Sequence, residues 1–165
     1  YKRQGPCGYG LPSVVGAKIG RPDVPVVGFS GDGAFGIAVN ELTAIGREEW
    51  PAVTQIVFRN YQWGAEKRNS TLWYDDNFVG TELDTQVSYA GIAKACGLQG
   101  VVAKTMDELT EALHTAIKDQ MENGKTTLIE AMINQELGEP FRRDAMKKPV
   151  AVAGVSASDM REQVA

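Results

Sequence analysis

The chain has 165 residues, 43% of them hydrophobic and 23% charged, with a formal net charge of -4, the composition of one soluble globular domain with a sizeable core. The acidic balance excludes a general affinity for nucleic acid or anionic membranes, no apolar run approaches the roughly 20 residues of a membrane span, and the opening Tyr1-Lys2-Arg3-Gln4-Gly5-Pro6 has no signal-peptide pattern. Cys7 and Cys96 are the only cysteines and lack metal-site spacing, so reduced thiols and a cytoplasmic setting are expected.

Gly5-Pro6-Cys7-Gly8-Tyr9-Gly10-Leu11-Pro12 is a glycine-rich loop with the character of a ligand loop. Ser13 to Gly20 reads as a short helix whose small residues let it lie close to a sheet or to another chain. Arg21-Pro22-Asp23 is a turn, and Val24 to Ser30 is a buried strand. Phe35, Val39, Leu42 and Ile45 fall at helical spacing, which predicts one helix from Phe35 to Arg47. Trp50-Pro51 ends it, and Val53 to Phe58 is the next strand. Asn60 to Thr71 is a loop or short helix rich in chemistry, and Trp73 to Asp84 is irregular.

Tyr89 to Cys96 is a helix closed by Gly97, and Val101 to Ala103 a short strand. Met106 to Glu122 is an amphipathic helix with Met106, Leu109, Leu113, Ile117 and Met121 on one face. Asp107 and Glu108 suit its N-terminus and Asn123-Gly124 its end. His114, the only histidine, lies beside that stripe and reads as a surface residue. Any acid–base chemistry must therefore come from carboxylates, lysines or a cofactor. Thr126 to Met132 is the last strand, and Glu139 to Lys148 is basic through Arg142, Arg143, Lys147 and Lys148. Strands alternating with helices predict an α/β fold: an open, mostly parallel sheet with helices on both faces.

The chemistry concentrates between Gly31 and Gly64. Gly31-Asp32-Gly33 follows a buried strand and opens a helix, and Asn60 follows the next strand. A carboxylate and an amide oxygen thus reach the same sheet edge, beside backbone N–H groups freed by glycine. Mg²⁺ needs few protein ligands and keeps water and phosphate oxygens, so one carboxylate, one amide and one backbone carbonyl suffice for a cation carrying a diphosphate. A helix-capping aspartate in a plain strand-to-helix turn is the bland reading of the same residues.

Gly31-Asp32-Gly33 followed by Asn60, with Gly8-Tyr9-Gly10-Leu11-Pro12-Ser13-Val14-Val15-Gly16-Ala17 ahead of it, resembles the thiamine diphosphate motif of acetolactate synthase-like enzymes. The resemblance spans about residues 5 to 132 and implies the diphosphate-binding domain of that fold. It implies that Asp32, the Asn60 side chain and the Gln62 carbonyl hold Mg²⁺, and that Gly33 and Ala34 offer backbone groups to the diphosphate. It places the Gly5 carbonyl and the Cys7 backbone against the aminopyrimidine. Gly8, Tyr9, Gly31, Trp63 and Gly64 complete the implied cofactor set. Two positions depart from the family. Arg59 stands where an asparagine is usual, which suggests an anionic substrate, and Cys7 stands where a bulky aliphatic residue or Met props the cofactor.

Within that family, Asn60 to Asn69, Phe78-Val79-Gly80-Thr81 and Glu139 to Ala145 resemble the sulfoacetaldehyde acetyltransferases. This implies release of sulfite from sulfoacetaldehyde and transfer of the acetyl group to phosphate. Arg59, Lys67 and Arg68 are then candidates for binding the substrate anions. A decarboxylase or carboligase of 2-oxo acids, or a non-catalytic diphosphate-binding domain, stays open beside it. The family's activating glutamate comes from a different domain, and no segment here resembles that domain. The expectation is a cofactor domain over residues 1–135, an extension over 136–165, and a C-terminal portion of a longer homodimeric or homotetrameric enzyme. By itself the chain should be inactive.

Overall fold

The computed structural model describes residues 6–137. Its strands are β1 (Val27–Gly31), β2 (Thr54–Arg59), β3 (Gln99–Ala103) and β4 (Thr127–Met132). They form one parallel sheet in the order β1-β2-β4-β3. The helices are α1 (Gly10–Gly20), α2 (Asp32–Ile37), α3 (Glu41–Ile45), α4 (Gly64–Trp73), α5 (Tyr89–Ala95) and α6 (Met106–Glu122). The open parallel sheet expected from the strand–helix alternation is therefore what forms. No helix among the described residues is long and apolar enough to cross a membrane.

Two apolar layers hold the sheet. On one face Val53, Val57 and Leu128 pack with Leu11, Val14 and Val15 of α1, Phe35 of α2, Leu42 and Ile45 of α3, and Tyr89 and Ala93 of α5. On the other, Ile56, Ile129 and Ala131 meet α6 through Leu109, Ala112, Leu113 and Ala116. The alternation of strand side chains sends Val53, Gln55, Val57 and Arg59 to the first face and Ile56 and Phe58 to the second.

Three expectations need correction. The helix predicted over Phe35 to Arg47 is two short helices, linked by i→i−3 turns at Glu41, Leu42 and Thr43. Gly36 weakens the segment as helix, and it must stay small because a Cβ there would lie 2.6 Å from the Tyr89 hydroxyl. The first strand starts at Val27, not Val24. Pro25 has no N–H to donate, and the Val26 N–H is taken by Gln120 Oε1 at 2.7 Å. The buried stripe of α6 is rotated from its most apolar line: Met106 is 74% exposed and Met121 40%, while Ala116 and Gln120 are buried. Small alanines at the contact let the helix lie close to the sheet. The helix bounds themselves agree, because Thr105 and Glu108 form a full capping box. His114 is exposed, as its place beside the stripe suggests.

Candidate functional site

Parallel register brings the carboxyl ends of β1 and β2 side by side, with Gly31 opposite Phe58. Asp32 leads out of β1 into α2, and Asn60 leaves β2 one residue past its end. The Asp32 side chain is 2% exposed. Its Oδ2 accepts from the Tyr61 N–H at 2.7 Å, the Asn60 N–H at 3.1 Å and Arg59 Nη1 at 3.2 Å. Among the described residues its Oδ1 accepts only the Gly33 N–H, at 2.9 Å. One oxygen is thus saturated and the other keeps a lone pair. The Tyr89 hydroxyl donates to the Asp32 carbonyl at 3.0 Å.

Tyr61 has φ 60°, a left-handed conformation unusual for a bulky residue. That turn aims two successive N–H groups at one carboxylate oxygen. The strain is local to the candidate site and is held by Asp32 below and by Arg59, whose guanidinium lies 4.1 Å from the Tyr61 ring centre.

A cavity of about 250 Å³ opens above these strand ends. Cys7, residues 31–34, Phe58, Asn60, residues 62–66 and Ile133 line it. It is smaller than the roughly 300–1,000 Å³ of a site that encloses a whole small molecule, and suits the end of a ligand rather than all of it. The amino end of α4 enters it without a side-chain cap, which leaves backbone N–H groups for an anion. Gly33 must lack a side chain, since a Cβ there would lie 2.7 Å from the Trp63 indole.

Gln62 is fixed through its side chain, which donates to the Gln135 carbonyl at 3.0 Å and accepts from Lys67 Nζ at 3.1 Å. Among the described residues its own carbonyl accepts no hydrogen bond. The backbone of Asn60 is engaged by Asp32 and by Gln135 Nε2, and its side-chain amide has no partner among the described residues. A carboxylate, an amide and a carbonyl, each with acceptor capacity left, make a hard oxygen donor set. A larger concavity of about 670 Å³ runs between β3, α5 and α6. It reaches the amino ends of β3 and β4, whereas ligands of open parallel sheets bind at the carboxyl ends.

The structure thus brings Cys7, Gly31, Asp32, Gly33, Ala34, Asn60, Gln62, Trp63 and Gly64 to one cavity. Gly8 and Tyr9 are not among its lining residues: Gly8 packs toward Ile37, and Tyr9 is 65% exposed. Gly5 lies outside the described residues, as do Arg142, Arg143, Lys147 and Lys148 of the basic segment.

The anion candidates fare differently. Arg59 is 1% exposed and sits inside the protein, against Asp32 and Glu130. Strand alternation turns it inward, toward α5 and away from the cavity. Lys67 is engaged by Gln62 and by Glu82, the latter at 2.5 Å. Arg68 is half-buried on α4 and does not line the cavity.

Tyr89 and Glu130 escaped the reading of the sequence. Glu130 accepts from Ser88 Oγ at 2.9 Å and the Ala90 N–H at 3.1 Å, which anchors the start of α5. An acidic residue inside an otherwise apolar strand was the available signal. Burial holds the Tyr89 phenol above its ordinary pKa, with the Arg59 charge acting in the opposite direction.

Comparison with known proteins identifies the family. Residues 2–131 match the family model of the thiamine pyrophosphate enzyme, C-terminal TPP binding domain. The chain is 87% identical to a sulfoacetaldehyde acetyltransferase of Roseovarius nubinhibens, over 96% of this chain and 26% of the relative. It is 79% identical to one of Rhodobacter capsulatus, over 96% of this chain and 27% of the relative. The chain therefore spans about a quarter of the length of these relatives. Among solved structures, a thiamine diphosphate-dependent 4-hydroxybenzoylformate decarboxylase of Rhodococcus jostii RHA1 superposes with a TM-score of 0.68 at 27% identity, over 79% of this chain and 24% of the other. A cavity at the carboxyl ends of parallel strands, a half-satisfied aspartate and the match over residues 2–131 lead to one conclusion: the chain belongs to the thiamine pyrophosphate enzymes, as their C-terminal TPP-binding domain.

Proposed function

We propose that this domain binds the diphosphate of thiamine diphosphate through Mg²⁺. We propose further that the whole protein converts sulfoacetaldehyde and phosphate to acetyl phosphate and sulfite. The observation that carries the metal reading is the Asp32 carboxylate, with Oδ2 saturated and Oδ1 holding a single hydrogen bond among the described residues. Asp32, the Asn60 amide and the Gln62 carbonyl would hold the cation, whose remaining positions go to water and phosphate oxygens. The N–H groups at the start of α4 and around Gly33 would meet the diphosphate. When bound, the cofactor supplies the carbon nucleophile and electron sink that the reaction needs. Identity of 87% and 79% to proteins named as sulfoacetaldehyde acetyltransferases supports this substrate over a 2-oxo acid.

Residues 1–135 form the cofactor domain in this reading. Gln135 belongs to it through its bonds to Asn60 and Gln62, and residues 136–165 are the extension that follows it in the sequence. A cytoplasmic homodimer or homotetramer is the setting that this reading carries. Lys67 and Arg68 remain the anion candidates on α4, while Arg59 is spent inside the protein.

The test uses the full-length protein. Asp32→Ala should abolish Mg²⁺-dependent binding of thiamine diphosphate in calorimetry, and Asn60→Ala should weaken it less. Normal cofactor affinity in Asp32→Ala would sink the metal assignment. Carbon dioxide from pyruvate, with no sulfite from sulfoacetaldehyde, would overturn the substrate. Equal binding of ADP with Mg²⁺ would point to a general diphosphate-binding domain.

A further inference from the structure

Arg59 is a large charged side chain buried at the end of β2. Its guanidinium is held on every side. Nη1 donates to Asp32 Oδ2 at 3.2 Å, and Nη2 donates to the carbonyls of Asp84 at 2.7 Å and Val87 at 2.9 Å. Nε faces Glu130 Oε1 at 3.5 Å, close enough to pair charges but without a formed hydrogen bond. The rings of Tyr61 and Tyr89 lie 4.1 Å and 4.9 Å from its central carbon. Glu130 is itself fixed by Ser88 and by the Ala90 N–H. The group therefore ties the end of β2, the 84–87 loop and the start of α5 to one oxygen of Asp32. Two carboxylates against one guanidinium leave one formal negative charge in this cluster, of which Asp32 lines the cavity.

The geometry points to Arg59 as a positioning residue for the cation site. Its side chain is the third donor on Oδ2, beside the Tyr61 and Asn60 N–H groups, and completes the set that fixes the rotation of the Asp32 carboxylate and leaves Oδ1 for the metal. Glu130, behind the guanidinium, balances its charge so that Asp32 keeps its attraction for a cation. This rests on the reading of Asp32 as the cation's carboxylate. It makes a prediction opposite to simple electrostatics. A positive charge beside a cation site should weaken binding, and its removal should tighten it. If Arg59 acts by orientation, its removal weakens binding instead.

The experiment measures Mn²⁺ binding to the full-length protein in the presence of thiamine diphosphate, from the amplitude of the free-ion electron paramagnetic resonance signal. Thermal unfolding of each variant is followed alongside. Arg59→Met and Arg59→Lys should each raise the Mn²⁺ dissociation constant about tenfold to a hundredfold, the usual effect of losing a group that orients a metal ligand. The lysine variant keeps the charge and loses the planar fork, so it decides the matter if the methionine variant does not fold. Tighter or unchanged Mn²⁺ binding in the folded variants overturns the assignment, even if their melting temperatures fall, because a merely structural role moves stability alone. Asp32→Asn is the control. Loss of binding there with normal binding in the Arg59 variants overturns only the role of Arg59. Normal binding in Asp32→Asn removes the metal site and the role of Arg59 with it.

Discussion

Gly36→Ala probes the contact between α2 and α5 that sets the position of Asp32. In an ordinary helix interior this substitution stabilises by about 1 kcal/mol. Here a Cβ at Gly36 would meet the Tyr89 hydroxyl at 2.6 Å, with the next ring atom, Cζ, at 3.7 Å. Tyr89 cannot easily retreat. It is buried, its ring packs edge-on against Phe35 at 5.0 Å, and its hydroxyl donates to the Asp32 carbonyl at 3.0 Å. Overpacking of this kind costs about 1–3 kcal/mol, and loss of the Tyr89 hydrogen bond adds about 1 kcal/mol. Gly36→Ala should therefore destabilise the wild-type chain by about 1–3 kcal/mol after the helix gain is subtracted. Tyr89→Phe alone should cost about 1 kcal/mol. In the Tyr89→Phe background the nearest remaining atom is at ordinary contact distance, so Gly36→Ala should become neutral or stabilising by up to about 1 kcal/mol. Equilibrium urea unfolding of the four proteins gives the coupling energy directly. Additivity within about 0.5 kcal/mol would mean that the two residues do not meet as described.

Gln120→Leu should destabilise by about 2–4 kcal/mol although it makes the buried face of α6 more apolar, because it leaves buried polar partners unpaired. Gln120 serves the Val26 N–H and carbonyl and the Thr54 hydroxyl. Hydrogen exchange at the Val26 amide should quicken, and a neutral or stabilising leucine would refute the account. The pH dependence follows from Tyr89, whose phenol is held above its ordinary value of 10.0 chiefly by burial. The folded state favours the neutral phenol, so this contribution is full below about pH 10 and is lost as pH rises through the raised folded value. Stability should fall on that alkaline side, and Tyr89→Phe should flatten the fall. An identical alkaline profile in both proteins would exclude Tyr89 as its cause.

The candidate site was legible because its parts are local in the chain. A buried apolar run, Gly31-Asp32-Gly33 and a following helix specify a strand-to-helix turn without reference to distant residues. A second apolar run ending at Asn60 repeats the strand signal, and the intervening helical segment makes the two strands parallel. The α6 bounds were equally local, since Thr105 and Glu108 cap the helix between them. Periodicity could not show the break between α2 and α3, because the apolar residues keep the same face across it. The reason for the break's neighbour, Gly36, lies in Tyr89, far along the chain.

Arg59 shows the limit most clearly. Its charge suggested a substrate anion, whereas its place in the alternation of β2 turned it inward onto Asp32 and Glu130. Gln120 is similar: a polar residue on an apolar helix face, explained by the Val26 backbone and the Thr54 hydroxyl, both far along the chain. Hydrophobic period, turn residues and helix caps act between near neighbours, so the sequence alone determined the strands, the α/β class and the meeting of Asp32 with Asn60. The partner of a buried polar group is chosen by packing between distant segments. Only the tertiary structure could decide that Arg59 faces Asp32, that Gln120 completes a strand, and that the two oxygens of Asp32 are so unequally engaged.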